Sequence, residues 1–169
     1  MNEQLLAELA DRLRSRFYGK YRGIVTDVDS STLRIKATVP AVLGSVPTGW
    51  ALPCVPYAGD GVGFFFLPEV GAGVWIEFEG GDVSYPIWTG CYWRSGELPS
   101  DASPTTRGVV TKADSKLLFD DDAETVSLED TNGNTVTLDS SGVTSSRGSQ
   151  KVTVGDSSVS VNDGAFEVA

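Results

Sequence analysis

Leu67-Pro68-Glu69-Val70-Gly71-Ala72-Gly73-Val74-Trp75-Ile76-Glu77-Phe78-Glu79-Gly80-Gly81-Asp82 is the stretch on which the fold turns. From Gly73 to Phe78 the side chains alternate. Val74, Ile76 and Phe78 take one face of a strand, Trp75 and Glu77 the other. Gly71 and Gly73 are expected to allow positive φ at the tight entry to that strand. Gly80-Gly81-Asp82 reads as a hairpin-type turn. Pro86 then opens a further strand at an edge, where its missing N–H does no harm.

Outward from this hairpin, residues 21–28, 32–39 and 48–55 read as three more strands, and 85–92 as the last. Five short strands with two long loops, at 40–47 and 56–63, predict a small closed barrel of the OB type over residues 20–93. Ahead of it, Leu5, Leu9, Leu13 and Phe17 recur every four residues and form one apolar stripe on a helix within residues 1–19. Asn2 is its expected N-cap, Arg12, Arg14 and Arg16 suit its C-terminal dipole, and Gly19 its stop. Such a helix serves either to pack on its own domain or to dock on a partner. Residues 94–112 are rich in Ser, Pro, Thr and Gly and read as a linker.

Residues 113–169 are built differently. Apolar doublets one residue apart recur: Val126/Leu128, Val136/Leu138, Val152/Val154, Val159/Val161 and Phe166/Val168. Turn residues separate them, and Val143 divides the longest interval. Short strands with one apolar and one polar face follow from this pattern. Each strand offers about two inward side chains, against a backbone ordering cost of roughly 1–2 kcal/mol per residue. One copy therefore buries too little, and copies of the same chain wound round one axis would supply the missing surface.

Composition removes other readings. The chain has 169 residues, a formal net charge of −10 and no histidine. A Ser-His-Asp or Cys-His site cannot be built from it, nor a histidine metal site. Residues 113–169 carry 11 acidic and 3 basic side chains, against 12 and 10 before them. The two cysteines, Cys54 and Cys91, make no disulfide scaffold and are expected as small buried hydrophobes. The polar start Met1-Asn2-Glu3-Gln4 does not read as a signal peptide, and the apolar run 62–68 is too short to span a bilayer.

The residues carry a resemblance. Leu67 to Asp82, continued by Tyr85-Pro86-Ile87-Trp88-Thr89-Gly90-Cys91-Tyr92, together with Tyr21-Arg22-Gly23-Ile24-Val25 and Leu33 to Pro40, resembles the phage baseplate assembly protein V family. That family includes the central spikes of contractile phage tails and of type VI secretion machines. Leu117-Leu118-Phe119-Asp120-Asp121 and Thr131-Asn132-Gly133-Asn134-Thr135-Val136-Thr137-Leu138 are similar to the repeats that open these spikes' trimeric β-helices. The resemblance implies an all-β chain: an N-terminal helix, a five-stranded OB barrel, then an intertwined trimeric β-helix needle over 113–169. Its implied partners are two further copies, a baseplate hub, and the target membrane in passing. A separate PAAR-type tip is allowed. Its implied location is the baseplate of a virion or particle assembled in the bacterial cytoplasm. The ten doublet residues above become the expected trimer core, and Leu5, Leu9, Leu13 and Phe17 the expected hub contact.

Residues 94–112 leave no room for the lysozyme domain of some relatives. Without histidine, the iron-binding His-x-His tip of some needles is missing. No cofactor, metal or catalytic residue is expected. Two other readings compete with this one. Tyr21, Trp50, Tyr57, Trp75 and Trp88 suggest base stacking by an OB-type nucleic-acid binder, but residues 20–94 hold five basic and seven acidic side chains, which make no positive groove. Catalysis or cation binding would fall to Asp120-Asp121-Asp122 or to Glu77 and Glu79. These read better as a solvated turn and a solvent face.

Overall fold

The computed structural model describes residues 3–168. It is mostly β-sheet, and the chain divides into two units, 1–97 and 98–169.

The first unit opens with helix α1 (Glu3–Arg14). The expected cap Asn2 lies outside the described residues, as do the side chains of Leu5, Arg12 and Arg14. The helix stops short of Gly19, because Phe17 has a better place. Its N–H donates to Gly81 O at 2.8 Å, and its ring packs edge-on to Tyr21 and Phe78, with centroids at 6.3 and 6.5 Å. Tertiary packing of an aromatic ring outweighs one more helical turn, so Phe17 leaves the Leu stripe and joins the barrel.

The strands that follow are β1 (Tyr21–Asp29), β2 (Arg34–Thr38), β3 (Leu52–Pro53), the small hairpin β4 (Ala58–Gly59) and β5 (Val62–Gly63), β6 (Gly73–Phe78) and β7 (Pro86–Tyr92). Five of them form one sheet in the order β2-β1-β6-β7-β3. Bridges from Ile35 to Ala51 and from Thr38 to Pro47 bring the two ends together and close a five-stranded barrel. Strand β3 is shorter than the expected 48–55, since Pro53 has no N–H for a second ladder. The loop at 40–47 holds a one-turn helix, α2 (Pro40–Leu43).

The barrel core is Val25, Ile35, Ala37, Val39, Ala51, Val74, Ile76, Phe78 and Trp88, all at most 5% exposed. The alternation of β6 is as read: Val74, Ile76 and Phe78 point in. Two glycine readings change. Gly71 does hold φ 93, but Gly73 is not in the left-handed region. A Cβ on Gly73 would sit 2.8 Å from the Tyr92 ring and from Tyr92 O, so the need there is for space. The turn after β6 is one turn of 3₁₀ helix (Glu79–Gly81) with Gly80 at φ 57 and Gly81 at φ 76. It receives Phe17, and Arg16 pairs with Asp82 at 3.0 Å.

The second unit is an eight-stranded antiparallel meander in strict chain order. Its strands are β8 (Thr106–Val110), β9 (Lys116–Asp120), β10 (Thr125–Glu129), β11 (Asn134–Asp139), β12 (Gly142–Arg147), β13 (Gln150–Val154), β14 (Val159–Val161) and β15 (Phe166–Val168). Strand β8 lies in the stretch read as linker, where it pairs along its whole length with β9. Sequence periodicity missed it because Arg107 and Gly108 interrupt the apolar pattern.

Candidate functional site

The meander's register decides what it can do. Val126 faces Leu138 and Leu128 faces Val136. Leu138 faces Val143, which faces Val154, which faces Val159, which faces Val168. Val136 leads across Ser145 to Val152, Val161 and Phe166. On the other side Val126 meets Phe119 and Leu128 meets Leu117, which meets Val109. Two ladders thus run on one face: one is apolar from β9 to β15 and begins at Arg107 in β8, and the other runs from β8 to β15 with a break at Ser145. All ten doublet residues lie on that face. The doublets read from the sequence leave out Val109, Leu117 and Phe119, and Val143 stands there only as the divider of the longest interval. Leu117 and Phe119, two apart, carry the same doublet signature, whereas Val109 has Arg107 and Thr111 at that spacing.

This face has no cover in a single copy. Leu128 is 55% exposed, Val154 50% and Phe166 63%, whereas the barrel core is at most 5%. The opposite face is hydroxyl-lined: Thr135 bonds Ser146 at 2.6 Å and Thr144 bonds Thr153 at 3.1 Å. Turns are tied by aspartates. Asp130 Oδ1 accepts the N–H groups of Asn132 and Asn134 at 2.8 and 2.9 Å, and Oδ2 their side-chain amides. The bonds from Asn134, chiefly its side chain, hold the Asp130 carboxyl far below the usual range. Asp120 likewise accepts N–H groups from Asp122 and Ala123, both at 3.0 Å, while Asp121 pairs with Arg107. The Asp120-Asp121-Asp122 triplet is a tied turn. Among the described residues no cluster of three or more metal-ligating side chains occurs.

In the barrel unit, Leu6, Leu9 and Leu13 lie exposed along α1, at 46%, 54% and 65%. Phe17 is turned away from them, into the barrel. Phe64, Phe65 and Phe66 lie in a loop and all three are exposed, with the first and third rings 4.9 Å apart. Trp88 is buried, its Nε1 donating to Leu33 O, and Trp93 is exposed. Cys54 and Cys91 are free and exposed, not the core residues expected; partial desolvation of the Cys91 thiol, then the charge of Glu69, raises it. Glu77 pairs with Lys20 at 2.6 Å. The rings that would stack bases are partly taken: Arg22 lies over Trp75 and Tyr92, and Lys36 lies over Trp50 at 4.7 Å.

Comparisons with known proteins agree with this geometry. Residues 21–93 match the family described as the type VI secretion system/phage-baseplate injector OB domain. Residues 108–167 match the phage baseplate V C-terminal trimerisation domain. A search of curated proteins found no match. The second match begins inside β8 and ends inside β15, so it coincides with the laddered sheet, and its description supports homo-oligomerisation. A barrel of injector type followed by a trimerisation sheet is the structural spike architecture of a baseplate, and the chain belongs to the phage baseplate V family.

Proposed function

We propose that three copies close their apolar sheet faces round one axis into a β-helical needle over residues 106–168. Seated by its barrel unit on a baseplate hub, this needle would be driven through a target envelope when the machine contracts. The reading rests on one observation: two apolar ladders, broken at Arg107 and Ser145, run across the sheet on one face and lie open in a single copy. In such an assembly the ladders run along the axis and the strands lie across it. At ~4.8 Å between strands, eight strands stack to about 34 Å.

Strand length adds a point to the rod. Strands β8 to β13 have 5 or 6 residues, and β14 and β15 have 3. At ~3.3 Å per residue the width falls from about 17–20 Å to about 10 Å. The last edge, β15, is where a PAAR-type tip would seat. The acidic exterior suits passage across anionic headgroups better than adhesion to them. Mass in solution tests the assembly: light scattering should return about three times 17.9 kDa. Particles carrying a needle that cannot assemble should contract without permeabilising the target envelope. A monomeric chain, or undiminished permeabilisation, would overturn the proposal.

A further inference from the structure

The turns at the two edges of the second sheet differ in charge. At one edge the turns after β9, β11 and β13, taken as residues 120–125, 139–142 and 154–159, hold six acidic side chains and no basic one. At the other edge the turns after β8, β10, β12 and β14, residues 110–116, 129–134, 147–150 and 161–166, hold four acidic and three basic. Arg147 ends β12 on this second edge. Val143, Ser145 and Arg147 alternate along β12, so the arginine lies on the ladder face. It shares a groove of about 520 Å³ with Leu128, Val136, Val152 and Val161. Of the cations from β9 to β15, Lys116 pairs with Asp101 at 3.1 Å and Lys151 with Asp163 at 2.7 Å. Arg147 has no ion pair among the described residues, and neither do Asp139 and Asp156 on the acidic edge.

Within one copy Arg147 cannot reach that acidic edge. Strand β12 has 6 residues, and at ~3.3 Å per residue its ends stand about 17 Å apart. Gly142, at the far end, lies against Gly155, so Asp139 and Asp156 flank one point there. A three-fold rotation carries one copy onto the next without a shift along the axis. The end of β12 in one copy therefore faces the start of β12 in its neighbour, and the joint is heterologous, one edge meeting the other. Resting on the three-copy reading above, we infer that Arg147 of each copy lodges between Asp139 and Asp156 of its neighbour. The charged edges then close the three corners that the apolar ladders leave. Ser141 takes up Oδ1 of Asp139 with its N–H and hydroxyl, at 2.7 and 2.5 Å, and leaves Oδ2 for a guanidinium. The same charges act against mispairing, since two like edges brought together would set six acidic side chains against six.

Disulfide trapping tests the joint in the full-length chain. Cys54→Ser and Cys91→Ser clear the background, and Arg147→Cys and Asp156→Cys are introduced together. Oxidation should link chains head to tail and give denaturing-gel bands at two and three chains. Arg147→Cys alone, held at three separate corners, should give none. Links with Arg147→Cys alone would mean that like edges meet and would overturn the joint. No link in a double variant that light scattering shows as three copies would overturn it as well. The charges are read separately. Arg147→Asp should lower the temperature of the circular dichroism transition. Adding Asp156→Arg should recover part of that loss, beyond the effect of Asp156→Arg alone. Shifts that merely add would overturn the ion pair. An unsubstituted chain that scatters light as a single copy would sink the three-copy reading and the joint together, whereas a trimer without the link sinks the joint alone.

Discussion

Gly73 shows how a glycine can be needed for room. It opens β6 directly against Tyr92, and a methyl group would meet both the ring and the carbonyl at 2.8 Å. The carbonyl belongs to the ladder and cannot step aside. Gly73→Ala should destabilise the barrel by about 1–3 kcal/mol, the usual cost of overpacking. Gly49, where a Cβ meets nothing within 4 Å, is the control, and Gly49→Ala should stay within about 0.5 kcal/mol. Urea titration followed by tryptophan fluorescence reads both, and equal midpoints would refute the steric reading. Asp29 is a second residue-scale case. Bonds from the hydroxyls of Ser31 and Thr32, and from the Ser31 N–H, lower its carboxyl from 3.8 to about 2. A lowered carboxylate stabilises the β1–β2 turn above its unfolded value and stops doing so as pH falls through about 2. Amide exchange at Ser31, taken relative to its intrinsic rate at each pH, should therefore hold steady down to about pH 4 and rise between there and pH 2. In Asp29→Asn that rise should vanish; a rise of equal size would assign it to another group.

At the scale of the element, the two faces of the second sheet make opposite demands. Val136 and Thr137 are neighbours on β11, one in the apolar ladder and one across from Thr144 on the hydroxyl face. Val136→Asp places one carboxylate per copy in the closed core, where an unpaired charge costs several kcal/mol. Thr137→Asp adds a charge that water can solvate. The first should abolish the trimer in light scattering and the second leave it intact, and equal tolerance would mean that the ladder face is not the joined one. These faces were legible in the sequence because a strand's period of two survives in the doublets. Other features were not. Strand β8 carries Arg107 at one of its two doublet positions, and β3 is cut short by Pro53. The end of α1 was unreadable because the contact that ends it joins Phe17 to Gly81 across more than sixty residues. A four-residue period cannot tell a helical Phe from one pulled into a barrel by a turn that far along the chain.

At the scale of the whole molecule, the two units should respond differently to dilution. The barrel keeps nine core residues at most 5% exposed within one chain, so its folding needs no neighbour. The second sheet has its apolar face open in one chain, and ordering its backbone costs roughly 1–2 kcal/mol per residue. Its stability therefore comes from association, and association gains with concentration. The four tryptophans, at 50, 75, 88 and 93, all lie in the first unit, which separates the signals. Tryptophan fluorescence follows the barrel, while far-ultraviolet circular dichroism carries the eight strands as well. As protein concentration rises, the dichroism transition should move to higher temperature. The part of the fluorescence change that reports Trp88 in the barrel core should hold its place. A dichroism transition that ignores concentration would mean that one chain stabilises its own sheet, and the needle would then need some other explanation for its open face.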